Sequence, residues 1–94
     1  MLYFGGLTTP SFFVDYTTTI YTMNGCKYCT LAKELLTRAN IIYEEVLLDR
    51  DITTEEVKLA LRMDVITFPQ IVHRGEHLGG LMETAKVFKE RGLV

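Results

Sequence analysis

The two cysteines of this 94-residue chain, Cys26 and Cys29, are separated by only two residues. A β-branched, threonine-rich run at residues 17–22 precedes them and is typical of a strand, and Asn24-Gly25 supplies a turn. Small and apolar side chains then recur at helical spacing, at Cys29, Ala32, Leu36 and Ala39. The sequence therefore predicts a strand that ends in a tight turn and delivers Cys26 to a helix N-terminus. There, free backbone N–H groups and the helix dipole favour thiolate over thiol.

Strand and helix patterns alternate along the rest of the chain. Predicted strands cover residues 17–22, 41–48, 70–72 and 76–78, and predicted helices follow Gly25, the Thr53-x-x-Glu56 capping pattern and Gly80. The largely apolar run at 41–48 predicts a parallel strand buried on both faces. The second helix is expected to bury Val57, Ala60 and Leu61. The order β-α-β-α-β-β-α predicts a single α/β domain.

Length, charge and cysteine content exclude several classes of protein. Ninety-four residues make one domain, and a net charge of −2 argues for neither nucleic acid nor an anionic membrane as a partner. Two cysteines are too few for a secreted disulfide scaffold, so a reducing cytoplasm is the expected location. Residues 1–16 show neither a signal-peptide nor a membrane-span pattern, and are expected to form a leader or an extra strand before a domain at 17–94.

Two other interpretations fit some of these residues. The cysteines could be small buried hydrophobic residues, and Pro69 an ordinary trans proline at a strand edge. His73 and His77 have the spacing of zinc ligands, but the gap of 43 residues (30–72) before them far exceeds the usual gap of about a dozen. A tight turn is also predicted between the two histidines. We therefore expect both to lie at the surface and to bind no metal.

Three motifs together resemble the glutaredoxin family, which has the thioredoxin-like fold. They are Cys26-Lys27-Tyr28-Cys29, Thr67-Phe68-Pro69 and Gly79-Gly80-Leu81-Met82-Glu83. Cys-x-x-Cys alone is weak evidence for the family. All three motifs together, at these positions in the order β-α-β-α-β-β-α, are specific evidence for it. The resemblance covers residues 17–93 and implies a four-stranded mixed sheet flanked by three helices. It also implies a thiol–disulfide oxidoreductase that works with glutathione.

The resemblance assigns roles to the first motif. Cys26 would be the exposed nucleophile, which attacks a disulfide or is glutathionylated, and Cys29 the more buried resolving thiol. Tyr28 would flank the groove that holds the tripeptide. Lys27 is placed in the same glutathione-binding set, as a cation that substitutes for a lysine usual before the nucleophile.

The other two motifs would complete a glutathione groove. Thr67-Phe68-Pro69 matches the family's Thr-Val-Pro, in which the proline is cis, and the backbone of Phe68 would pair with the cysteine of bound glutathione. Gly79-Gly80 would let the chain approach the ligand. Backbone N–H groups near Met82 and Glu83 would receive the γ-glutamyl carboxylate, and the Glu83 side chain would hold the amino group. The candidate set is Cys26 and Cys29 for catalysis, Lys27, Tyr28, Thr67, Phe68, Pro69, Gly80, Met82 and Glu83 for glutathione, and no metal ligand.

The sequence departs from the family at positions that usually carry a cation. Met23 stands in place of the lysine three residues before the nucleophile, and Asp64-Val65 stands in place of a Gly-Arg pair. Arg62 or Lys58 is expected to replace that arginine. These departures bear on the affinity for glutathione and on the pKa of Cys26.

The resemblance leaves three functions open. The leading one reduces glutathione mixed disulfides and protein disulfides by monothiol or dithiol exchange, with ribonucleotide reductase as a protein substrate that the family allows. A second is a dimeric carrier of a glutathione-ligated [2Fe–2S] cluster, which Lys27 leaves open because proline at that position disfavours the cluster. A third is a redoxin reduced by thioredoxin reductase. A cytoplasmic monomer without nucleic acid or membrane partners is expected for the leading function.

Overall fold

Four strands and three helices alternate along residues 17–94, the part of the chain that this computed structural model describes. They are β1 (Thr18–Thr22), α1 (Lys27–Arg38), β2 (Tyr43–Leu47), α2 (Thr54–Leu61), β3 (Gln70–His73), β4 (Glu76–Gly79) and α3 (Leu81–Glu90). This is the order predicted from the sequence. The leader or extra strand predicted at residues 1–16 lies outside the described residues.

The strands form one mixed sheet in the order β2-β1-β3-β4. β1 runs parallel to β2, with Thr18 opposite Tyr43, and antiparallel to β3, with Ile20 opposite Ile71. β3 and β4 form an antiparallel hairpin. The predicted four-stranded mixed sheet with three helices is confirmed. Because β1 is a central strand and leads directly into α1, the two cysteines lie at the carboxyl edge of the middle of the sheet.

The core lies where α1 and α3 pack with the central strands. Its fully buried members are Ile20, Ala32, Leu36, Ile71 and Phe88. In β1 the alternate residues are buried and the intervening ones are half-buried, which is the period of two that a strand packed on one face requires. The face predicted for α1 is confirmed, since its buried residues are Cys29, Ala32 and Leu36.

Two burial predictions were wrong. The strand at 41–48 was expected to be buried on both faces, but β2 is an edge strand, and none of its residues is fully buried. An edge strand has a neighbour on one side only, so less of it is shielded from water. In α2 only Val57 is buried, and Ala60 is exposed.

The predicted N-terminal cap of the second helix and the predicted turn of the hairpin are both present. Thr53 caps α2, accepting from the backbone N–H of Glu56 at 3.2 Å and donating its own N–H to the Glu56 carboxylate at 2.9 Å. Arg74 and Gly75 have φ values of 53° and 82°, as a two-residue type I′ turn requires. None of the helices between residues 17 and 94 has the length and apolar character needed to cross a bilayer.

Candidate functional site

The two cysteines lie at the start of α1 and form a disulfide, with their Cα atoms 5.2 Å apart. Cys26 is the N-cap of the helix, in extended conformation, and Cys29 lies one turn into it. The backbone N–H of Cys29 donates to the Sγ of Cys26, with 3.1 Å between nitrogen and sulfur. Cys29 is 3% exposed, whereas Cys26 is only half-buried. The partly accessible sulfur is therefore the one at the helix N-terminus.

The turn before Cys26 depends on a glycine. Gly25 has a φ of +74°, a left-handed conformation that side chains other than glycine disfavour. No other atom lies within 4 Å of where a Cβ would stand, so the requirement comes from the backbone and not from crowding. The Asn24-Gly25 turn predicted from the sequence is confirmed, and it joins the end of β1 to the N-cap of α1.

A largely apolar groove of about 530 Å³ begins at Tyr28, within the Cys-x-x-Cys motif. It is lined by Tyr28, Met63, Thr67, Phe68, Pro69, Gln70, His77, Gly79, Gly80, Leu81, Met82 and Glu83. Seven of the eight residues predicted to bind glutathione lie in it, and the eighth, Lys27, does not. Tyr28 and Met82 are 60% and 75% exposed, so both are accessible to a ligand.

One wall of the groove is the loop before β3. The Phe68-Pro69 peptide bond is cis, as expected, and Pro69 is buried. Phe68 lies outside the strands of the described sheet, so the ladder does not use its N–H and C=O groups. The loop leads directly into Gln70, the first residue of β3, whose side-chain amide donates back to Thr67.

The other end of the groove is the N-terminus of α3. The Glu83 carboxylate accepts from the backbone N–H of Gly80 at 3.0 Å and so caps the helix from within its first turn. A Cβ on Gly80 would lie 3.2 Å from Oε1 of Glu83 and 3.4 Å from the carbonyl oxygen of Pro69. The small size of Gly80 therefore lets the start of α3 pass close to the cis-proline loop.

A second cavity, of about 410 Å³, contacts the cysteines and shares no residue with the groove. Cys26, Lys27 and Cys29 line it, together with Lys33, Glu45 and Arg50 among others. The cation beside Cys26 thus lies on a different surface from Tyr28. Successive residues of a helix point about 100° apart, so Lys27 and Tyr28 do not face the same side.

A carboxylate of the second cavity is held by two neighbours. Glu45 accepts from the Thr22 hydroxyl at 2.6 Å and from the Lys33 ammonium at 3.2 Å. The hydrogen bond from Thr22, followed by the contact with Lys33, lowers the pKa of Glu45 below its ordinary value, although burial acts in the opposite direction. Glu45 is therefore an anion at neutral pH, and it offsets the charge of Lys33 in this cavity.

The cations expected to replace the family's arginine lie away from the groove. Lys58 and Arg62 line another cavity, and Lys58 pairs with Glu55 at 3.7 Å. Only the neighbouring residue Met63 lines both that cavity and the groove. The structure thus does not bring these two cations to the groove.

The histidines have separate partners. His73 was predicted at the surface, but it is 8% exposed, because its ring packs edge-on against Phe88 at 5.5 Å between ring centroids. Its Nδ1 lies 2.7 Å from the Thr18 hydroxyl. His77 is exposed and contacts Gln70 in the groove. Within residues 17–94, no group of three or more His, Cys, Asp or Glu side chains could hold a metal ion.

Three residues of the groove, Met63, Gln70 and His77, lie outside all three sequence motifs and were not predicted as site residues. One signal was present for Gln70. It is a polar residue at the start of an otherwise apolar strand, directly after the proline motif, and a buried amide has to find hydrogen-bond partners nearby. Met63 and His77 carried no comparable signal.

This arrangement defines a class of protein. A disulfide-forming Cys-x-x-Cys begins a helix, and its Tyr28 shares a groove with a cis-proline loop. Together with the β-α-β-α-β-β-α order, this combination is that of the thiol–disulfide oxidoreductases of the thioredoxin-like fold.

Comparison with known proteins gives the family. The glutaredoxin family model matches residues 18–78. The chain is 36% identical to Glutaredoxin 1 of Rickettsia prowazekii over 77 residues, which cover 80% of each chain. It is also 33% identical to the hybrid peroxiredoxin hyPrx5 of Haemophilus influenzae over 84% of its own length, but it spans only 32% of that longer protein. The chain belongs to the glutaredoxin family.

Solved structures agree with this assignment. Glutaredoxin 1 from Francisella tularensis, complexed with cacodylate, superimposes with a TM-score of 0.67 at 30% identity, over 82% of this chain and 95% of the other. A buckwheat glutaredoxin–glutathione complex shares the fold with a TM-score of 0.68 at 22% identity, over 81% of this chain and 71% of the other. The thioredoxin-like fold expected from the sequence is thereby confirmed.

Proposed function

We propose that the protein reduces glutathione mixed disulfides and protein disulfides, with glutathione as its reductant. The observation that carries the proposal is the groove, which runs from Tyr28, beside the nucleophile, along the cis-proline loop to the N-terminus of α3. Its volume of about 530 Å³ is within the range of small-molecule sites. A tripeptide bound there would place its cysteine sulfur next to Cys26. The buckwheat glutaredoxin, which shares this fold, was solved as a complex with glutathione.

The N-terminus of α3 suits the γ-glutamyl end of the ligand. The first N–H groups of a helix have no intrahelical partner, and the helix dipole attracts an anion to them. Glu83 uses one oxygen on Gly80, so the N–H groups of the next residues, Met82 among them, are available to a carboxylate. The second oxygen of Glu83 is then free to accept from the ligand's ammonium group.

The cis-proline loop suits the central residue of the ligand. The N–H and C=O of Phe68 are not used by the sheet, and an extended peptide beside them could form a short antiparallel pair. Recognition through the backbone does not depend on the side chain, so phenylalanine can stand where the family usually has valine. Its ring adds apolar surface to the groove wall.

With a mixed disulfide, the exchange needs only one protein thiol. The Cys26 thiolate attacks the glutathione sulfur, the S–S bond of the substrate breaks, and the substrate leaves as a thiolate that takes a proton from water. A glutathione thiolate then attacks the glutathione sulfur bound to Cys26. Oxidised glutathione and the Cys26 thiolate are the products.

With a protein disulfide, the second thiol takes part. Cys26 attacks one sulfur of the substrate, and Cys29, after loss of its proton, attacks Cys26 in the resulting mixed disulfide. The reduced substrate leaves, and the Cys26–Cys29 disulfide remains, which is the bond seen in this structure. Two glutathione molecules return it to the dithiol and are themselves oxidised to the disulfide.

The proposal is tested by asking which electron donor supports turnover. Oxidised protein and a glutathionylated cysteine peptide are given either glutathione with glutathione reductase and NADPH, or thioredoxin reductase with NADPH, and NADPH consumption is followed. We expect turnover with glutathione and none above background for Cys26→Ser. Turnover with thioredoxin reductase but not with glutathione would show that the glutathione assignment is wrong. We propose no cluster-carrying function, because no contact of the described residues favours it.

A further inference from the structure

A buried amide connects the cis-proline loop to strand β4. Gln70 is only 4% exposed. Its Nε2 donates to the carbonyl oxygen of Thr67 at 3.0 Å and to the Thr67 hydroxyl oxygen at 3.1 Å. Its Oε1 lies 2.8 Å from Nε2 of His77. One side chain thus joins the loop before β3 to the far strand of the hairpin, and all three residues line the groove.

The backbone carbonyl of Thr67 determines the hydrogen positions in this network. A carbonyl oxygen only accepts hydrogen bonds, so the amide nitrogen of Gln70 has to face it, and not the amide oxygen. Oε1 of Gln70 then faces His77. Because Oε1 also only accepts, Nε2 of His77 has to carry a hydrogen. The position of one backbone oxygen therefore fixes both the orientation of a buried amide and the tautomer of an exposed imidazole.

We propose that His77 is a positioning residue for glutathione, acting through Gln70 on Thr67-Phe68. The inference rests on the proposed function, since it concerns the loop that would hold the ligand's backbone. His77 holds the oxygen end of the amide, so that the nitrogen end stays on Thr67. The carbonyl of Thr67 belongs to the peptide bond that ends at the N–H of Phe68, so the direction of that carbonyl sets the direction of the N–H.

The loss of the His77 donor has a defined consequence. Oε1 of Gln70 would be left to water, and the amide would be free to rotate and turn its oxygen toward the Thr67 carbonyl, where two acceptors repel. The carbonyl of Thr67 would then lose its hydrogen-bond donor, while the Thr67 hydroxyl could still donate to the amide, so the loop would hold Phe68 less firmly. The chemistry at Cys26 would not change, because the start of α1 has its own hydrogen bonds and contains neither Gln70 nor His77.

The test compares two substitutions at one position. His77→Leu removes the donor, whereas His77→Gln restores one, because the amide nitrogen of glutamine reaches nearly the same place as Nε2 of histidine. With a glutathionylated cysteine peptide as substrate, we expect H77L to raise the apparent KM about three- to tenfold with kcat within about twofold, as the loss of one modest hydrogen bond predicts. H77Q should stay close to the wild type. Glu76→Gln, an exposed neighbour on β4, is the matched control and should not change KM.

A second readout separates positioning from general damage. Alkylation of reduced Cys26 by iodoacetamide needs no glutathione groove, so its rate should be the same in the wild type, H77L and H77Q. Nitrogen NMR of the unmutated protein in mildly alkaline buffer should show that the hydrogen of the neutral His77 ring is on Nε2. This measurement requires no variant and therefore no assumption about folding.

The outcomes separate this inference from the proposed function. If the wild type does not turn over with glutathione, the proposed function fails, whatever His77 does. If the wild type uses glutathione but H77L has the wild-type KM, His77 does not position the loop. Equal increases in KM for H77L and H77Q, a slower alkylation of Cys26 in H77L, or a hydrogen on Nδ1 would each overturn the inference as well.

Discussion

The Sγ atom of Cys26 lies 3.1 Å from the backbone nitrogen of Cys29, and the N–H of Cys29 points its hydrogen bond at that sulfur. The side chain of Cys26 thus caps the N-terminus of α1 by accepting this hydrogen bond, a role that serine or threonine oxygens usually play. In the reduced protein, the same N–H would donate a charge-assisted hydrogen bond to a Cys26 thiolate, and the helix dipole would favour the same anion. Cys29, which is 3% exposed, has no such advantage. The two thiols are therefore chemically unequal.

This inequality predicts different losses for the two serine variants. Cys29→Ser should keep the activity on a glutathionylated peptide within about twofold, because only Cys26 forms and breaks bonds in that reaction. On a protein disulfide, it should lose at least about tenfold, because the resolving thiol is gone. Cys26→Ser should abolish both activities. A Cys29→Ser protein that reduced both substrates at the wild-type rate would show that Cys29 has no resolving role.

Lys27 is expected to act on Cys26 by charge and not as part of the groove. It follows Cys26 directly and lines the second cavity, apart from the groove residues. Lys27→Glu should raise the pKa of reduced Cys26, since an anion next to it disfavours the thiolate. Alkylation by iodoacetamide near neutral pH should slow about three- to tenfold, a range typical of exposed charges close together.

Two controls accompany the Lys27 variant. Lys89→Glu makes the same change of charge near the end of α3 and should leave the alkylation rate unchanged. Because exposed charges are screened by salt, 1 M sodium chloride should remove most of the difference between K27E and the wild type. A difference that persisted in high salt would mean that Lys27 acts through a specific contact.

Much of the site could be predicted because its determinants are local. The turn at Asn24-Gly25, the N-cap at Cys26 and the buried face of α1 depend on residues close together in the chain. The groove residues, by contrast, were predicted from the resemblance of three motifs to the glutaredoxin family. These residues are far apart in sequence, and nothing in their spacing alone brings Tyr28 and Glu83 to the same groove.

What could not be predicted depends on the arrangement of the sheet. The apolar content of residues 41–48 does not reveal that β2 lies at an edge, because strand order is a property of the whole fold. The burial of His73 needs β1 and α3 on either side of it, and these elements are distant in sequence. The contact between Gln70 and His77 depends in the same way on the register of the hairpin, which has an irregularity after Ile71.

The stability of the protein should fall as the pH is lowered through the range in which histidine titrates. Burial lowers the pKa of His73 below its ordinary value of 6.5, and the nearby charges of Arg74 and Arg91 act in the same direction, with Glu76 opposing them. The unfolded chain therefore binds a proton at a pH where the folded chain does not. The stabilisation is fully present above about pH 6.5 and is lost as the pH falls toward the folded pKa.

Urea unfolding between pH 7.5 and pH 5.5 tests this prediction. The free energy of unfolding should decrease over this range in the wild type and in His77→Gln, and should decrease less in His73→Gln. The ion pair of Asp51 with Arg50 does not contribute in this window. Arg50 and a backbone N–H lower the pKa of Asp51 to about 2, so it stays ionised. An identical pH dependence in His73→Gln and the wild type would rule out His73 as the source.

Thr84 offers a way to stabilise the protein. It is fully buried on α3, and among the described residues its hydroxyl oxygen has no hydrogen-bond partner. Valine has nearly the same shape and a similar helix propensity, so Thr84→Val removes an unpaired polar group and leaves the packing intact. We expect the free energy of unfolding, measured in urea, to rise by about 1 kcal/mol.

Thr84→Ala is the matched control for this prediction. It also removes the hydroxyl, but it takes a buried methyl group with it and leaves a small cavity in the core. We therefore expect Thr84→Ala to be less stable than Thr84→Val by about 1 kcal/mol or more, with an unchanged slope of unfolding against urea. If Thr84→Val instead unfolds at a lower urea concentration than the wild type, the hydroxyl has a partner in solution and contributes to stability.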